Sequence, residues 1–345
     1  HNIVESGAYA EDINTGTQYN AATRYPDDGS TLSSAAAYVS FKNNFTEKAT
    51  YSLGARYSVA SLNAKFKDTT FVQLPFNEIT NNNGAATGSA GISYHPNKTF
   101  KIHMNLSTGF RSPNIDDLGK VFAKRTFVLV PNDQVKPEFA YNGEIGFTKS
   151  FGEDQLIIHA VGYYTLLKDA IVRDFYTLNG QDSMFYDGEL LPIQTNVNAT
   201  EAVIYGISTK LFIQFNKEFS MKSSFNYTIG ENSTFGVPLG HIPPIYGRTD
   251  LSVNSDPFTI AVYVQHPAWK WRKDYSPYGE DNFELATVNG TPAWQTYNMR
   301  VAVQLTKSYS IQAALENMLD IHYRPFASGV SGPGRNFVFT LRADI

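Results

Sequence analysis

One segment of the chain, residues 110–137, concentrates charged side chains of both signs beside Phe122 and Phe127. Cationic side chains bind anions, and a few polar groups around aromatic rings fix a ligand's orientation, so this mixture suits a polar or anionic ligand. It would equally suit a solvated loop packed on its neighbours, because most loop residues carry no function. The candidate ligand-binding residues are Arg111, Asp116, Asp117, Lys124 and Arg125.

A second segment, residues 268–293, places aromatic rings next to cations. Such surfaces suit sugars, aromatic chelates or peptides. Trp and Tyr also gather at the two surfaces of a membrane, and a predicted strand over 257–266 ends just before Trp269, which favours the membrane-surface interpretation. The candidate ligand-binding residues here are Trp269, Trp271 and Tyr275.

Motifs for catalysis or metal binding are missing from the sequence. It contains no cysteine, which excludes disulfides and thiolate chemistry. The patterns G-x-S-x-G, H-E-x-x-H and G-x-x-x-x-G-K-[ST] do not occur in it. We therefore predict no catalytic residue, no metal site and no cofactor.

The composition indicates β structure with an apolar surrounding. Aromatic residues reach 14% and charged residues only 17%, below the roughly 25% charged residues of soluble domains. With a net charge of -4 and no long Lys/Arg run, we predict no nucleic-acid partner. No apolar run reaches the ~18 residues of a membrane-spanning helix, so a membrane protein of this kind would have to be a β-barrel.

Strict alternation of apolar and polar residues is the dominant pattern of the chain. In the last run the apolar residues Phe337, Phe339 and Leu341 share one face, because side chains along a strand alternate between faces. The opposite face is largely polar. The same split recurs over 100–107, 258–265, 297–305 and 309–316.

The connectors between these runs alternate between short and long. Outer-membrane barrels have short periplasmic turns and long external loops, so we predict an all-β fold, an antiparallel transmembrane β-barrel wall of about 14 strands. The predicted strands lie near 2–10, 31–43, 47–60, 87–95, 99–109, 138–149, 154–172, 201–214, 218–229, 246–254, 257–266, 294–305, 308–317 and 335–345.

Two stretches contain recognisable motifs in addition to the alternation. The first reads F-R-S-P at 110–113 and P-N-D-Q-V-K-P-E at 131–138, and the second reads E-N-M-L-D-I-H-Y at 316–323 and G-P-G-R-N-F at 332–337. In this order and on predicted hairpins, they resemble the late barrel of TonB-dependent outer-membrane receptors. Gln134 and Val135 depart from the family's usual phrase, and Ile345 stands where many barrels end in an aromatic residue.

The resemblance implies a larger protein than this chain. Family barrels have about 22 strands and enclose an N-terminal plug domain, which is preceded by a segment that contacts TonB. We therefore expect residues 1–345 to be the C-terminal portion of the receptor β-barrel, with the plug domain and the early strands absent.

The resemblance also implies a function without chemical reaction, so we do not expect an enzyme. The expected activity is import of a scarce nutrient across the bacterial outer membrane, with an iron chelate, corrinoid, oligosaccharide or peptide as candidates. Expected partners are outer-membrane lipid, the nutrient ligand, the TonB energy complex through the missing N-terminal part, and a surface lipoprotein. Haem is disfavoured because the loop between Phe110 and Asn132 contains no histidine, although His241 or His322 could serve.

Three other functions stay open on the sequence alone. The chain could form a passive outer-membrane channel of about 14 strands that closes on itself. It could be a surface-binding or structural protein without transport. It could be an outer-membrane enzyme, although no Ser/His or Asp/His cluster is visible by motif.

Overall fold

The computed structural model describes residues 1–124 and 126–343. A sheet of 18 strands dominates it, and four of these strands belong to loops, which leaves fourteen wall strands. The wall strands are β1 Asn2–Val4, β2 Ser30–Thr46, β3 Ala49–Lys65, β4 Glu78–Asn97, β5 Phe100–Arg111, β6 Glu138–Phe151, β7 Leu156–Phe175, β8 Glu189–Gln214, β9 Phe219–Asn232, β10 Tyr246–Ser255, β11 Phe258–Pro267, β12 Thr296–Gln304, β13 Tyr309–Glu316 and β14 Asn336–Ala343.

Each wall strand pairs antiparallel with the next one along the chain, from β1 to β14. This meander confirms the predicted all-β fold and its strand pattern. The prediction was wrong for the first strand, which ends at Val4 rather than near residue 10. Residues Tyr9–Glu11 pair instead with Gln18–Asn20, because the Asp12 carboxylate accepts a hydrogen bond from the Asn14 amide and initiates a turn.

The loops contain short elements of their own. These are the strands Phe122–Lys124, Phe127–Leu129, Ser183–Tyr186, Val237–Pro238, Lys270–Trp271 and Gly290–Thr291, the helix α1 Ile115–Leu118, and the 3-10 turns Arg272–Asp274 and Phe283–Leu285. Among the described residues, no helix is long and apolar enough to cross a membrane.

The apolar face of the meander points away from its interior. Ile92, Met104 and Ile145 lie side by side across three strands and are 52%, 50% and 49% exposed. Their sequence neighbours on the opposite face are mostly polar, as Ser93 and Asn105 show. A lipid-facing band over a wet interior accounts for both faces.

The two ends of the wall differ in the length of the connections between strands. Short turns such as 47–48 and 98–99 join strands at one end, and long loops join them at the other. The β8 strand has 26 residues, which at about 3.3 Å per residue greatly exceeds the ~30 Å thickness of a hydrocarbon layer. β7 and β8 stay paired as far as Phe175 and Gln194, so they carry the wall well beyond the apolar band on the long-loop side.

The buried apolar core lies at the long-loop end. One cluster joins Val72, Val128, Val130, Leu178, Leu191 and Ile193 from three loops and the start of β8. A second cluster packs Leu118 and Val135 against Leu62, Ala64 and Ile79 on the inner face of β3 and β4. Burial on this scale stabilises the loops by roughly 1.5–3 kcal/mol for each large side chain. The loops therefore fold onto the wall and onto each other.

We expect the wall faces to respond differently to a new charge. Met104→Arg places a guanidinium in the outward apolar band and should destabilise the intact membrane protein by about 2–4 kcal/mol if it lies near the bilayer midplane. The matched control Asn105→Arg points inward and should change stability by less than ~1 kcal/mol. Urea unfolding in lipid vesicles measures both. Equal losses for the two variants would contradict the assignment of the faces.

Candidate functional site

The 112–137 loop begins with a capped turn that fixes its direction. The Asn114 side chain accepts a hydrogen bond from the Asp117 amide, and the Asp117 carboxylate accepts one from the Asn114 amide. This reciprocal arrangement satisfies two donors that a helix start leaves free. The turn buries Leu118 completely, so the loop lies against the inner wall.

Arg111 and Asp117, both predicted ligand contacts, form a salt-bridge network at the base of this loop. Arg111 Nε lies 2.6 Å from Glu138 Oε1, and its terminal nitrogen lies 2.7 Å from Asp117 Oδ2. Arg111 and Glu138 are also cross-strand neighbours on β5 and β6. The guanidinium therefore ties both ends of the loop to the capped turn. Direct ligand contact by these two residues stays a prediction.

Asp116, another predicted ligand contact, joins the same loop to the segment before β2. Its Oδ1 lies 3.0 Å from Lys120 Nζ and accepts a hydrogen bond from the Tyr25 hydroxyl at 3.0 Å. Partial burial opposes ionisation of the carboxyl group, but hydrogen bonds from Lys120 and Tyr25 outweigh it and lower the pKa of Asp116. Burial and the same carboxylate raise the pKa of Tyr25.

Lys124 connects two loops that are far apart in sequence. Its ammonium donates to the Gly279 carbonyl at 3.0 Å and to Asn282 Oδ1 at 2.6 Å. Asn282 in turn donates to the Ala327 carbonyl at 2.8 Å. One cation thus links the loops 112–137, 268–295 and 317–335. Arg125, its predicted companion, lies outside the described residues.

Trp269 and Trp271 stack on each other, with ring centroids 5.1 Å apart. They line a cavity of about 770 Å³ together with Tyr227, Ile229 and Pro243. Tyr227 belongs to the outward face of β9 and is 40% exposed, so the tryptophan pair lies near the outer surface of the wall. This position fits the membrane-surface interpretation, and ligand contact by the pair stays a prediction.

Tyr275 is buried, although the sequence suggested an exposed binding surface. It is 6% exposed, its hydroxyl lies 2.6 Å from Thr291 Oγ1, and Phe283 and Phe326 meet its ring edge-on. Burial raises the pKa of the Tyr275 hydroxyl. The ring therefore supports the 268–295 loop from within.

An inward-facing cavity of about 740 Å³ lies beside Tyr275. Tyr246 and Gln265 on β10 and β11 form its wall. Three outer loops cover it with apolar and aromatic groups, and the rings of Trp294 and Tyr323 are 4.2 Å apart there. The loop residues that line it include His241, Pro243, Pro244, Pro292, Trp294, Tyr323, Pro325 and Phe326.

Sequence reasoning missed this cavity, because its walls come from strands and loops up to 101 residues apart, from Asn226 to Ala327. The inward position of Tyr246 could be read from the alternation, since it shares a face with Arg248 and Asp250. The approach of Trp294 to Tyr323 had no local signal.

Comparison with known proteins identifies the class of protein that this fold represents. Residues 1–318 match the family model described as TonB dependent receptor-like, beta-barrel. The chain therefore belongs to the TonB-dependent receptor β-barrel family. Its location is the outer membrane, and the family comprises receptors and transporters, not enzymes. The predicted family, location and non-enzymatic character are confirmed.

The chain is similar in sequence to part of several curated proteins. Hemoglobin-binding protein A of Haemophilus influenzae is 26% identical over 250 residues, which cover 66% of this chain and 24% of that protein. Hemoglobin-haptoglobin utilization protein B of Neisseria meningitidis is 22% identical over 342 residues, covering 84% of this chain and 41% of that protein. The chain thus spans well under half the length of these relatives.

Solved structures share the fold. The copper transporter OprC superposes with a TM-score of 0.76 at 17% identity, over 97% of this chain and 51% of that one. The ferric enterobactin receptor PfeA of Pseudomonas aeruginosa gives a TM-score of 0.66 at 17% identity, over 99% and 58%. At such identities the likeness establishes the β-barrel architecture alone.

Removing the Lys124 cation should loosen the outer loops together. Lys124→Met deletes charge-assisted hydrogen bonds to Gly279 and Asn282, worth about 1–2 kcal/mol of local stability. Amide hydrogen exchange over 277–285 should accelerate by roughly tenfold. The control Lys273→Met removes a cation whose side chain is 81% exposed and should change nothing. Unchanged exchange in Lys124→Met would rule out the link.

The contacts of Asp116 at the base of the 112–137 loop should become weaker in acid. The pKa of Asp116 is lowered in the folded loop, so its contribution is complete above the ordinary carboxyl pKa of about 4 and is lost as the pH falls through the lower folded value. Hydrogen exchange over 115–120, corrected for its intrinsic pH dependence, should show protection declining below about pH 4. Lys120→Met should move this decline to higher pH. Identical profiles for the two proteins would contradict the assignment.

Proposed function

We propose that this chain is the loop-bearing part of an outer-membrane receptor that takes up iron from a haemoglobin-type protein. Membership of the TonB-dependent receptor family supports nutrient import as the general activity. The two curated relatives described above are named for haemoglobin binding, and they extend over most of this chain. The iron chelate in this proposal is haem, which the sequence disfavoured because the loop between Phe110 and Asn132 contains no histidine. The proposal departs from that expectation and requires a histidine in another loop.

The observation that carries the proposal is an amphipathic hairpin at the far end of the long strands. Ser183–Tyr186 pairs with the first residues of β8. On its inner side Met184 and Tyr186 pack against the loop core, where Leu191 is buried. On its outer side the cross-strand neighbours Phe185 and Leu190 are 73% and 60% exposed.

Such a pair has the properties of a protein-binding surface. Exposed aromatic and aliphatic side chains on a rigid support act as interface anchors, because little conformational entropy is lost when they are covered. The hairpin is held from behind by the loop core and lies beyond the lipid-facing band. A protein ligand can therefore reach it without a change in the wall.

The energy for uptake would come from the TonB complex acting through the receptor's plug domain. The chain's own part is to hold the external loops over an inward cavity, which could receive a ligand released at the tip. A passive channel and a purely adhesive protein are the rival functions. Both predict that haemoglobin-supported growth does not depend on TonB.

Replacing the exposed pair should weaken haemoglobin binding. In the intact receptor, Phe185→Ser with Leu190→Ser should lower affinity for haemoglobin by about tenfold or more, since an interface anchor contributes roughly 1–2 kcal/mol. The control is Ile13→Ser, which removes a side chain that is 94% exposed on another hairpin. Binding to cells and growth on haemoglobin as sole iron source, with and without TonB, are the measurements.

The outcomes separate the alternatives. Weaker binding by the double variant together with TonB-dependent growth supports the proposal. Normal binding by the double variant excludes the hairpin as the docking surface. Growth that persists without TonB excludes energised import.

A further inference from the structure

The inward cavity has the shape and chemistry for a flat aromatic ligand. Its volume is about 740 Å³, within the range of pockets for small ligands and cofactors. Trp294, Tyr323 and Phe326 supply aromatic surface, and proline residues of three loops stiffen the remaining wall. Behind Phe326, the Lys270 ammonium lies 5.0 Å from the ring centroid.

His241 places an imidazole at the edge of this cavity. Its backbone is held in the left-handed region, with φ of 62°, and its amide donates to Asp281 Oδ1 at 2.7 Å. Asp281 is 2% exposed and also accepts a hydrogen bond from the Ser276 amide at 3.0 Å. A buried carboxylate that accepts a backbone hydrogen bond on each oxygen thus fixes the residue in an unusual conformation, at a cost of roughly 1 kcal/mol.

The same carboxylate lies next to the imidazole ring. His241 Nδ1 lies 3.7 Å from Asp281 Oδ1, and a small ring rotation would bring the two into hydrogen-bond distance. Histidines that ligate metals usually donate the N–H of one ring nitrogen to a carboxylate, which makes the other nitrogen the ligand. Among hydrogen bonds of the described residues, Nε2 of His241 has no partner, and the side chain is 67% exposed.

We propose that His241 is an axial ligand for a ferric porphyrin seated in this cavity. The proposal rests on the haemoglobin-type function above and names the group that the receptor would take from its protein ligand. A porphyrin fills the four equatorial positions of its iron, so one imidazole suffices to hold it. The aromatic wall would stack on the macrocycle.

Three of the other histidines lie outside this cavity. His322 Nε2 lies 3.1 Å from Ser331 Oγ, and this residue does not line the cavity. His103 and His159 stack on each other near the short-turn end of the wall, with ring centroids 6.1 Å apart. His322 therefore provides the matched control in a neighbouring outer loop.

Spectroscopic titration of the intact purified receptor with hemin tests the assignment. His241→Ala should weaken hemin binding by at least about tenfold and remove the absorbance bands of nitrogen-ligated ferric haem. Added imidazole should restore those bands. His322→Ala should behave like the unmodified receptor. Metal-free protoporphyrin should bind both variants equally, because it depends on the aromatic wall alone.

Each result decides the proposal. Unchanged hemin affinity and bands in His241→Ala, or no hemin binding by the unmodified receptor, would overturn it. Should His241→Ala also lose metal-free protoporphyrin, His241→Met replaces the test: a thioether ligand must shift the haem bands, and unshifted bands reject His241. Haemoglobin binding is measured on the same samples, so loss of the docking function is seen separately from loss of haem ligation.

Discussion

A backbone amide or carbonyl group inside a hydrocarbon layer has no water to bond with, and every other feature of this chain is arranged around that constraint. The fourteen wall strands satisfy it along the edges that neighbouring strands share, from Asn2–Val4 to Asn336–Ala343. The apolar side chains then face lipid instead of one another. As a result the wall has little conventional core, and the buried apolar clusters lie where the loops fold together at the long-loop end.

The wall strands were predictable because apolar and polar residues alternate along them with a period of two. The outward positions of Phe258, Ile260 and Val262 followed from alternation alone, and their exposure agrees. Strand ends were less predictable, because the pattern changes where the loops begin to cover the inner face. Leu62 and Ile79 face inward yet are apolar and buried, so the run at 87–95 was predicted too short and the strand continues back to Glu78.

The candidate site was predictable only in outline. Composition singled out the 112–137 loop, and the structure shows that Arg111, Asp116 and Asp117 have partners within the protein. Nothing in the local sequence indicates that Lys124 contacts Asn282, 158 positions away. The same holds for Tyr275, whose burial depends on Phe326 from another loop. Contacts of this kind arise from the arrangement of the wall strands that carry the loops.

The link from Lys124 through Asn282 to Ala327 also has a consequence for how the receptor surface varies over time. External loops are the part of a surface protein that antibodies and phages bind. If the loops were independent, each could change one residue at a time. Here a change at one loop removes the partner of another, so tolerated variation must be compensated across the set. Exposed loop residues outside these contacts and outside the proposed docking hairpin can vary independently, while the residues that link the loops must vary together.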